Sequence, residues 1–212
     1  MFELNICLHP NCNKLALSQI DKQGNITNLP GYCLEHTPNP DDLKNAIYKY
    51  IETNKKIINL NACDLTFSNI DLTDKCFIAC NFKNCTFQNI QSEYFRSRMS
   101  FFDFSLFSDC NFINSDIQFS SFIGSTFSIA LFTGSELIQN SFNGITAYQT
   151  SFDDSDLYLS RFCNARLLNT SIVNCNIKKA IFHNLHYENV SFKQSNTGEA
   201  IFLDEKIMGG VI

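Results

Sequence analysis

Two short pairs of cysteine and histidine near the N-terminus have the residue types and spacing of a metal site. Four residues separate Cys7 from Cys12, and two residues separate Cys33 from His36. Thiolate sulfur and imidazole nitrogen are ligands that tetrahedral Zn²⁺ prefers. Turn-forming residues between the pairs indicate a short hairpin that would bring the pairs together. We therefore predict a structural zinc ion, because four protein ligands leave no position for a catalytic water.

The same segment allows two other interpretations. His9 lies inside the first pair and is a reserve ligand, and a module that binds no metal is the alternative. The segment also resembles small zinc knuckles of the pattern Cys-x4-Cys…Gly-Tyr-Cys-x2-His, which occur at the edges of many bacterial and phage proteins. That resemblance covers only this short stretch of the chain.

The rest of the sequence shows no pattern of catalytic residues. It contains neither a glycine-rich phosphate loop nor a nucleophile elbow. His183 and His186 fall at outward positions of a repeat, where we expect a surface pair, with a weak metal site as the alternative. A charged corner, and not a carboxylate pair in a cleft, is formed by Asp153, Asp154 and Asp156. We therefore expect that the protein is not an enzyme.

A five-residue period from about Ala62 to Phe202 predicts the fold. A large apolar residue recurs at every fifth position, and a small residue stands two positions before it. Neither the 3.6-residue period of a helix nor the two-residue period of a strand produces this pattern. A short repeat of this kind indicates a solenoid whose large and small side chains both point inward. The pattern is clearest in Cys80-Asn81-Phe82, Cys110-Asn111-Phe112 and Ser155-Asp156-Leu157.

This pattern resembles the pentapeptide-repeat family, whose unit is small–Asp/Asn–Leu/Phe–polar–Gly or any residue. The resemblance covers about two thirds of the chain. It implies an all-β solenoid, a right-handed quadrilateral parallel β-helix with four units in each coil, so that residues 20 apart stack. At ~4.8 Å for each strand, seven coils would form a rod roughly 35 Å long. The family also includes DNA mimics that bind DNA gyrase and protect it from quinolones or peptide toxins.

We predict four segments from these patterns: a zinc-knuckle-like module over 1–38, a capping helix over 39–56, the repeats over 57–204 and a tail over 205–212. Asn39 followed by Pro40 and two acids is typical of a helix start. The tail could cover the last coil or pair two rods end to end as a homodimer. The repeat falters at Ser92 and Ser97, where we expect a bulge or a distorted coil, with two weak units tolerated by a long solenoid as the alternative.

A stack of 20-residue coils would also place outward residues in columns. Asp116, Glu136 and Asp156 would form one acidic column, with exposed apolar residues beside it. Such a surface is typical of a contact with another protein, although a solvated acidic column with scattered apolar residues is the alternative. We define the partner face as Asp116, Glu136, Asp156, Met99, Phe119, Ile138 and Tyr158.

Composition limits the compartment and the partners. The chain has ten cysteines and a net charge of −5, and we find no signal peptide and no apolar stretch long enough to span a membrane. Cysteines at the small inward positions favour a reducing cytoplasm. We expect an interaction scaffold for a protein partner of unknown identity, with a gyrase-binding DNA mimic as the alternative. Nucleic-acid binding through the module is less favoured, because its only bases are Lys14 and Lys22.

Overall fold

The computed structural model describes residues 5–27 and 29–203, and most of this length is a parallel β-solenoid. Seven consecutive steps of 20 residues connect Asn61 to Ile201 through parallel pairing. The same register joins Thr86 to Leu106 and Leu106 to Thr126. The 20-residue stacking that the repeat predicts is therefore confirmed. The handedness of the coil and its square cross-section stay predictions of the family resemblance.

The strands form two main sheets, half a coil apart in sequence. The first sheet contains β3 (Lys56–Ile58), β5 (Cys76–Ile78), β7 (Arg96–Arg98) and β9 (Asp116–Gln118). The second contains β4 (Thr66–Ser68), β6 (Thr86–Gln91), β8 (Leu106–Asn111), β10 (Thr126–Leu131), β11 (Thr146–Tyr148), β12 (Arg166–Leu168) and β14 (His186–Glu188). Two short pairs complete the strands, β1 (Gln19–Ile20) with β2 (Ile26–Thr27), and β13 (Ile181–Phe182) with β15 (Ile201–Phe202), and a short 3₁₀ helix covers Thr197–Glu199.

Each five-residue unit turns at one residue with left-handed backbone. Every fifth residue from Asn59 to Gln194 has a positive φ, which gives four such corners in each coil. Glycine, asparagine and aspartate accept this conformation at low cost, and they occupy most corners. Gly124, Gly134 and Gly144 occupy three of these corners.

Stacked phenylalanine rings fill the lumen of the solenoid. Phe87, Phe107 and Phe127 lie above one another with ring centroids 4.9 Å apart, and Phe107 meets Phe112 edge-on. All four rings are buried. Offset stacks and edge contacts are the arrangements that the charge distribution of aromatic rings favours. The prediction that the large residues of the repeat point inward is confirmed.

The small inward residues connect the coils through hydrogen bonds as well as making space. The buried Ser125 hydroxyl accepts from the Ser105 N–H at 3.1 Å and donates to the Phe102 carbonyl at 2.7 Å. A cysteine at the same position makes only one of these two hydrogen bonds, the one in which it donates. The Cys85 thiol donates to the Ala62 carbonyl at 3.0 Å. Among the described residues no buried side-chain nitrogen or oxygen lacks a hydrogen-bond partner.

The prediction of a bulge near Ser92 and Ser97 is wrong. Ser97 pairs in ordinary parallel register with Phe77 and Ile117, and both serines are fully buried at large-residue positions. Phe95 occupies the adjacent small-residue position, and it is also buried. The ring and the hydroxymethyl group have exchanged places inside the lumen, so the coil keeps its length.

Helix α1 (Pro40–Thr53) covers the N-terminal end of the solenoid. Ile47 and Ile51 are buried in the core, and Tyr48 meets Phe67 edge-on at 5.1 Å. The helix begins at the predicted proline, although Asn39 makes no side-chain capping hydrogen bond. The four-segment division stays a prediction, and so does end-to-end pairing, since the tail over 205–212 lies outside the described residues.

Candidate metal centre and partner face

The first cysteine pair lies on a tight turn. An antiparallel bridge joins Ile6 to Leu15, and the Cys7 N–H donates to the Lys14 carbonyl at 2.9 Å. The Cys12 N–H then donates to the His9 carbonyl at 3.1 Å, which folds the chain back so that both thiols point to one side. Asn11 accommodates the turn with a φ of 63°.

The second pair lies on another turn beside the first. The His36 N–H donates to the Cys33 carbonyl at 3.1 Å, and this turn places the ring of His36 against the Cys33 thiol. The Leu8 N–H donates to the Gly31 carbonyl at 2.9 Å, which holds the two turns together. Between them the β1–β2 hairpin reverses the chain, as the sequence predicts.

The two turns bring Cys7, Cys12, Cys33 and His36 into one cluster, with all four ligand atoms within 4.8 Å of one another. The Nδ1 atom of His36 lies 3.3 Å from the Cys33 sulfur and 3.6 Å from the Cys7 sulfur. The Cys12 and Cys33 sulfurs are 3.9 Å apart. A tetrahedral zinc ion with bonds of about 2.0–2.3 Å separates its ligand atoms by roughly 3.5–3.8 Å, so the donor set fits this ion in size and chemistry.

The surroundings of Cys7 favour its thiolate, which is the form that binds a metal. Burial acts to raise the pKa of Cys7, but hydrogen bonds from the backbone of Cys33 and His9 and from the His36 side chain outweigh it and lower the pKa to about 6. Burial dominates at Cys33 and raises the pKa of its thiol. His9 lies outside the four-ligand cluster, where its N–H donates to the Cys7 sulfur and its ring stacks on His36 at 3.8 Å. His9 therefore supports the cluster and orients His36.

The cluster is attached to the solenoid by a short segment of extended chain. The Ser18 N–H donates to the Asn61 carbonyl at 2.9 Å, and the Asn61 N–H donates back to the Ser18 hydroxyl at 2.8 Å. The Asn61 side chain also donates to the Ala16 carbonyl and accepts from Asn81 at 2.8 Å. This network joins the N-terminal segment to the first coil. The contacts of Asn61 with Ser18 and Ala16 have no signal in the sequence, because their partners are 43 and 45 residues apart and outside the repeat.

The structure places the predicted partner face on one side of the solenoid. Asp116, Glu136 and Asp156 are bridged in sequence by parallel pairing, and Ile138 and Tyr158 lie two residues after the last two acids. Met99 and Phe119 occupy equivalent left-handed corners of two successive coils at the margin of this side, with φ of 50° and 54°. Their side chains are 53% and 52% exposed, which is high for large apolar residues.

The acids on this side have partners that the sequence analysis missed. Arg98 forms an ion pair with the Asp116 carboxylate and donates to the Asp116 carbonyl at 2.9 Å. Asp156 accepts from the Asn176 side chain at 3.0 Å. Arg98 is 18 residues before Asp116. Residues 20 apart stack, so Arg98 lies two residues along the strand from the residue stacked on Asp116, and this spacing could have identified the pair. The ion pair neutralises one end of the acidic column.

The other residues singled out in the sequence lie elsewhere on the surface. His183 and His186 are exposed on the C-terminal coils. The Asp153 carboxylate accepts a hydrogen bond from the Val173 N–H at 2.7 Å and so connects its own coil to the next one. No helix among the described residues has the length and apolarity required to cross a membrane.

Two properties together decide the class of fold: residues 20 apart pair throughout the solenoid, and large and small inward residues recur every five positions. The chain is a parallel β-solenoid built from five-residue repeats. Similar solved structures are pentapeptide repeat proteins, among them HetL, which is described as involved in heterocyst differentiation regulation in the cyanobacterium Nostoc sp. strain PCC 7120. The match to HetL has 10% identity over 76% of this chain and 97% of that one, with a TM-score of 0.26.

Two further solved structures resemble this solenoid. A trypsin-treated form of QnrB1, a plasmid-mediated fluoroquinolone resistance protein, has 19% identity over 63% of this chain and 83% of that one, with a TM-score of 0.39. Rfr23 from the cyanobacterium Cyanothece 51142 has 9% identity over 76% and 99%, with a TM-score of 0.24. No family model and no curated protein matches the sequence. Identities and TM-scores this low show no shared activity.

Proposed function

We propose that this protein is a non-enzymatic interaction scaffold of the cytoplasm, which presents the partner face to another protein. The observation that carries the proposal is the pair Met99 and Phe119, two large apolar side chains that are half exposed at left-handed corners. Such backbone costs roughly 1–2 kcal/mol for a residue other than glycine. A contact with a partner gives a reason to keep apolar residues where asparagine or glycine would be more stable.

The interior of the solenoid supports a scaffold over an enzyme. Stacked rings occupy the lumen, as with Phe122 on Phe142 and Phe142 on Phe162 at centroid distances of 5.2 and 4.9 Å. A filled lumen leaves the outer sides as the surfaces on which this part of the chain can bind another molecule. Recognition by such a surface depends on apolar area and on the pattern of charges around it.

The zinc proposal belongs to the same function, because a rigid cap holds the first coil in place. We expect Cys7, Cys12, Cys33 and His36 to bind one structural Zn²⁺, in support of which their ligand atoms lie within 4.8 Å of one another. Protein made without a metal-affinity tag should contain about one equivalent of zinc by elemental analysis. Cys33→Ser should lose the zinc, and His9→Ala should keep it. Less than half an equivalent in the unmodified protein would contradict the proposal.

Capture from a lysate of the native host tests the partner face. Protein in which Asp116, Glu136 and Asp156 are all changed to alanine should lose the partner that the unmodified protein captures. The matched control removes three acids from other sides, Asp71, Glu93 and Glu188, and should retain the partner. If the first variant captures every partner as well as the control does, the partner face has another role.

A second candidate function is binding of DNA gyrase by DNA mimicry, and the stacked acidic column favours it. The solenoid from Ile57 to Asp204 carries 14 acids and 9 bases, and Arg98 neutralises Asp116, so the negative field is modest. A supercoiling assay with DNA gyrase, with and without a quinolone, distinguishes this candidate. No effect at micromolar protein would exclude it.

A further inference from the structure

The charges on the sheet that carries the partner face change sign at its middle. One column of this sheet runs through Lys56, Cys76, Arg96 and Asp116 in parallel register, and bridges extend it to Glu136 and Asp156. Its N-terminal half therefore carries bases and its C-terminal half carries acids. The change occurs between strands β7 and β9.

This arrangement is complementary to itself under a two-fold rotation. An axis that lies above the outward side chains of this sheet, parallel to the strands and level with the midpoint between β7 and β9, reverses the order of the coils in a second copy that faces the first. Arg96 of one copy then faces Asp116 of the other, and Lys56 faces Asp156. Because Arg98 of the same chain already pairs with Asp116, the contact between Lys56 and Asp156 is the one that depends on the second copy. Each contact occurs twice, as in every isologous interface.

The apolar residues of the same side obey the same rotation. The neighbouring column runs through Ile58, Ile78, Arg98, Gln118, Ile138 and Tyr158, and the rotation places Ile58 opposite Tyr158, Ile78 opposite Ile138 and Arg98 opposite Gln118. At the corner beside them it places Met99 opposite Phe119. Ile58 is 43% exposed, so apolar area remains at the end of the face as well as at the margin, where Met99 and Phe119 lie.

We propose that a second copy of this chain covers the partner face, in an antiparallel side-by-side dimer about this axis. The inference rests on the proposed partner face and names its occupant. A parallel dimer would bring coils of equal number together, so that Arg96 and Arg98 would meet their own copies and the acids would meet theirs. Like charges in contact disfavour that arrangement and select the antiparallel one.

The apolar contacts supply most of the affinity in this dimer, and the charges supply its orientation. Ion pairs at exposed sites contribute little individually, whereas like charges brought together are clearly unfavourable. Reversal of one charge therefore gives a sharper experiment than its removal. Because each pair occurs twice, one substitution changes two contacts in the dimer.

Sedimentation velocity of the purified full-length protein from about 1 to 200 µM tests the dimer. Lys56→Glu alone and Asp156→Lys alone should each weaken dimerisation roughly tenfold or more, since each places like charges at both contacts. An equimolar mixture of these two variants should dimerise again, because both contacts are then complementary between unlike chains. The double variant K56E/D156K should also dimerise. The controls Lys193→Glu and Asp71→Lys lie on other sides and should behave as the unmodified protein.

Three results would overturn the inference: a monomer at every concentration, a dimer insensitive to both single variants, or a mixture that fails to recover. Circular dichroism establishes that each variant is folded. If Asp156→Lys does not fold, Arg96→Glu replaces it, because the Arg96 side chain is exposed and faces Asp116 of the other copy. A monomer that still captures another protein through the three acids would overturn the dimer and leave the proposed scaffold intact.

Discussion

The ring of Phe95 meets the ring of Phe77 edge-on, with centroids 5.0 Å apart and planes at 89°. Phe77 occupies a large-residue position, and the residue stacked on it in the next coil is Ser97. Phe95 therefore fills, from two residues earlier, the space that a phenylalanine at position 97 would fill. The lumen keeps its volume while the repeat pattern is locally reversed.

This exchange predicts that Phe95 and Ser97 are strongly coupled. Phe95→Ser should lower the free energy of unfolding by about 3–5 kcal/mol, because it leaves a cavity beside Phe77. The double variant Phe95→Ser/Ser97→Phe restores the ordinary order of the repeat at nearly constant volume. We expect it to lie within about 1.5 kcal/mol of the unmodified protein. Urea unfolding followed by circular dichroism measures both values.

A double variant as unstable as Phe95→Ser would show that the two positions are not interchangeable in the lumen. Ser97→Phe alone is the matched control for overpacking, since it adds a second ring where Phe95 already fills the space. We expect that variant to lose about 1–3 kcal/mol.

A second prediction concerns the serine hydroxyls that join successive coils. Ser125→Ala should lower the free energy of unfolding by about 1–3 kcal/mol, because the buried Ser105 N–H and the Phe102 carbonyl lose their partner. Ser125→Cys should cost less, since a thiol can still donate to the carbonyl as Cys175 does to Phe152 at 3.0 Å. The outward Ser128→Ala is the control and should change stability by less than about 0.5 kcal/mol. Equal losses at Ser125 and Ser128 would contradict the bridging role.

The sequence was sufficient to predict the solenoid, because every unit repeats the same inward and outward choice and one period fixes all of them. It also predicted which Cys and His residues converge, because each pair is local and only one hairpin separates the pairs. Interactions that depend on a single coil were harder to predict. In the sequence, the exchange of Phe95 and Ser97 has the pattern of an interrupted repeat, and only the packing in the lumen shows that the two side chains compensate each other. The hydrogen bonds between Ser18 and Asn61 lie outside the repeat and have no periodic pattern.

The buried thiols predict a loss of stability in alkali. Burial raises the pKa of Cys80 and Cys110 to about 12 and that of Cys175 to about 11, whereas an unfolded thiol has a pKa of about 8.5. The folded state therefore holds protons that the unfolded state releases above that value. This contribution to stability is complete below pH ~8.5 and declines as the pH rises through the folded pKa, by up to about 1.4 kcal/mol per thiol and pH unit.

Thermal unfolding at intervals from pH 8 to pH 11 measures this decline. The variant with Cys80, Cys110 and Cys175 changed to serine should show a flatter dependence, since serine has no titration in this range. Serine also fits these positions, as Ser105 and Ser125 do in neighbouring units. Parallel curves for the two proteins would assign the alkaline loss to other groups.

The last prediction separates backbone strain from side-chain contact at two corner glycines. Gly124 and Gly144 share a φ of 67°, so alanine at either position carries the cost of a left-handed residue, about 1–2 kcal/mol. A Cβ atom at Gly124 would also lie 2.7 Å from the ring of Phe104, whereas at Gly144 the nearest atom is 3.8 Å away. The ring is largely exposed and can move, so we expect Gly124→Ala to cost about 1 kcal/mol more than Gly144→Ala. In a Phe104→Ala background the two costs should become equal, as measured by urea unfolding. A difference that persists without the ring would show that the two corners differ in backbone strain and not in this contact.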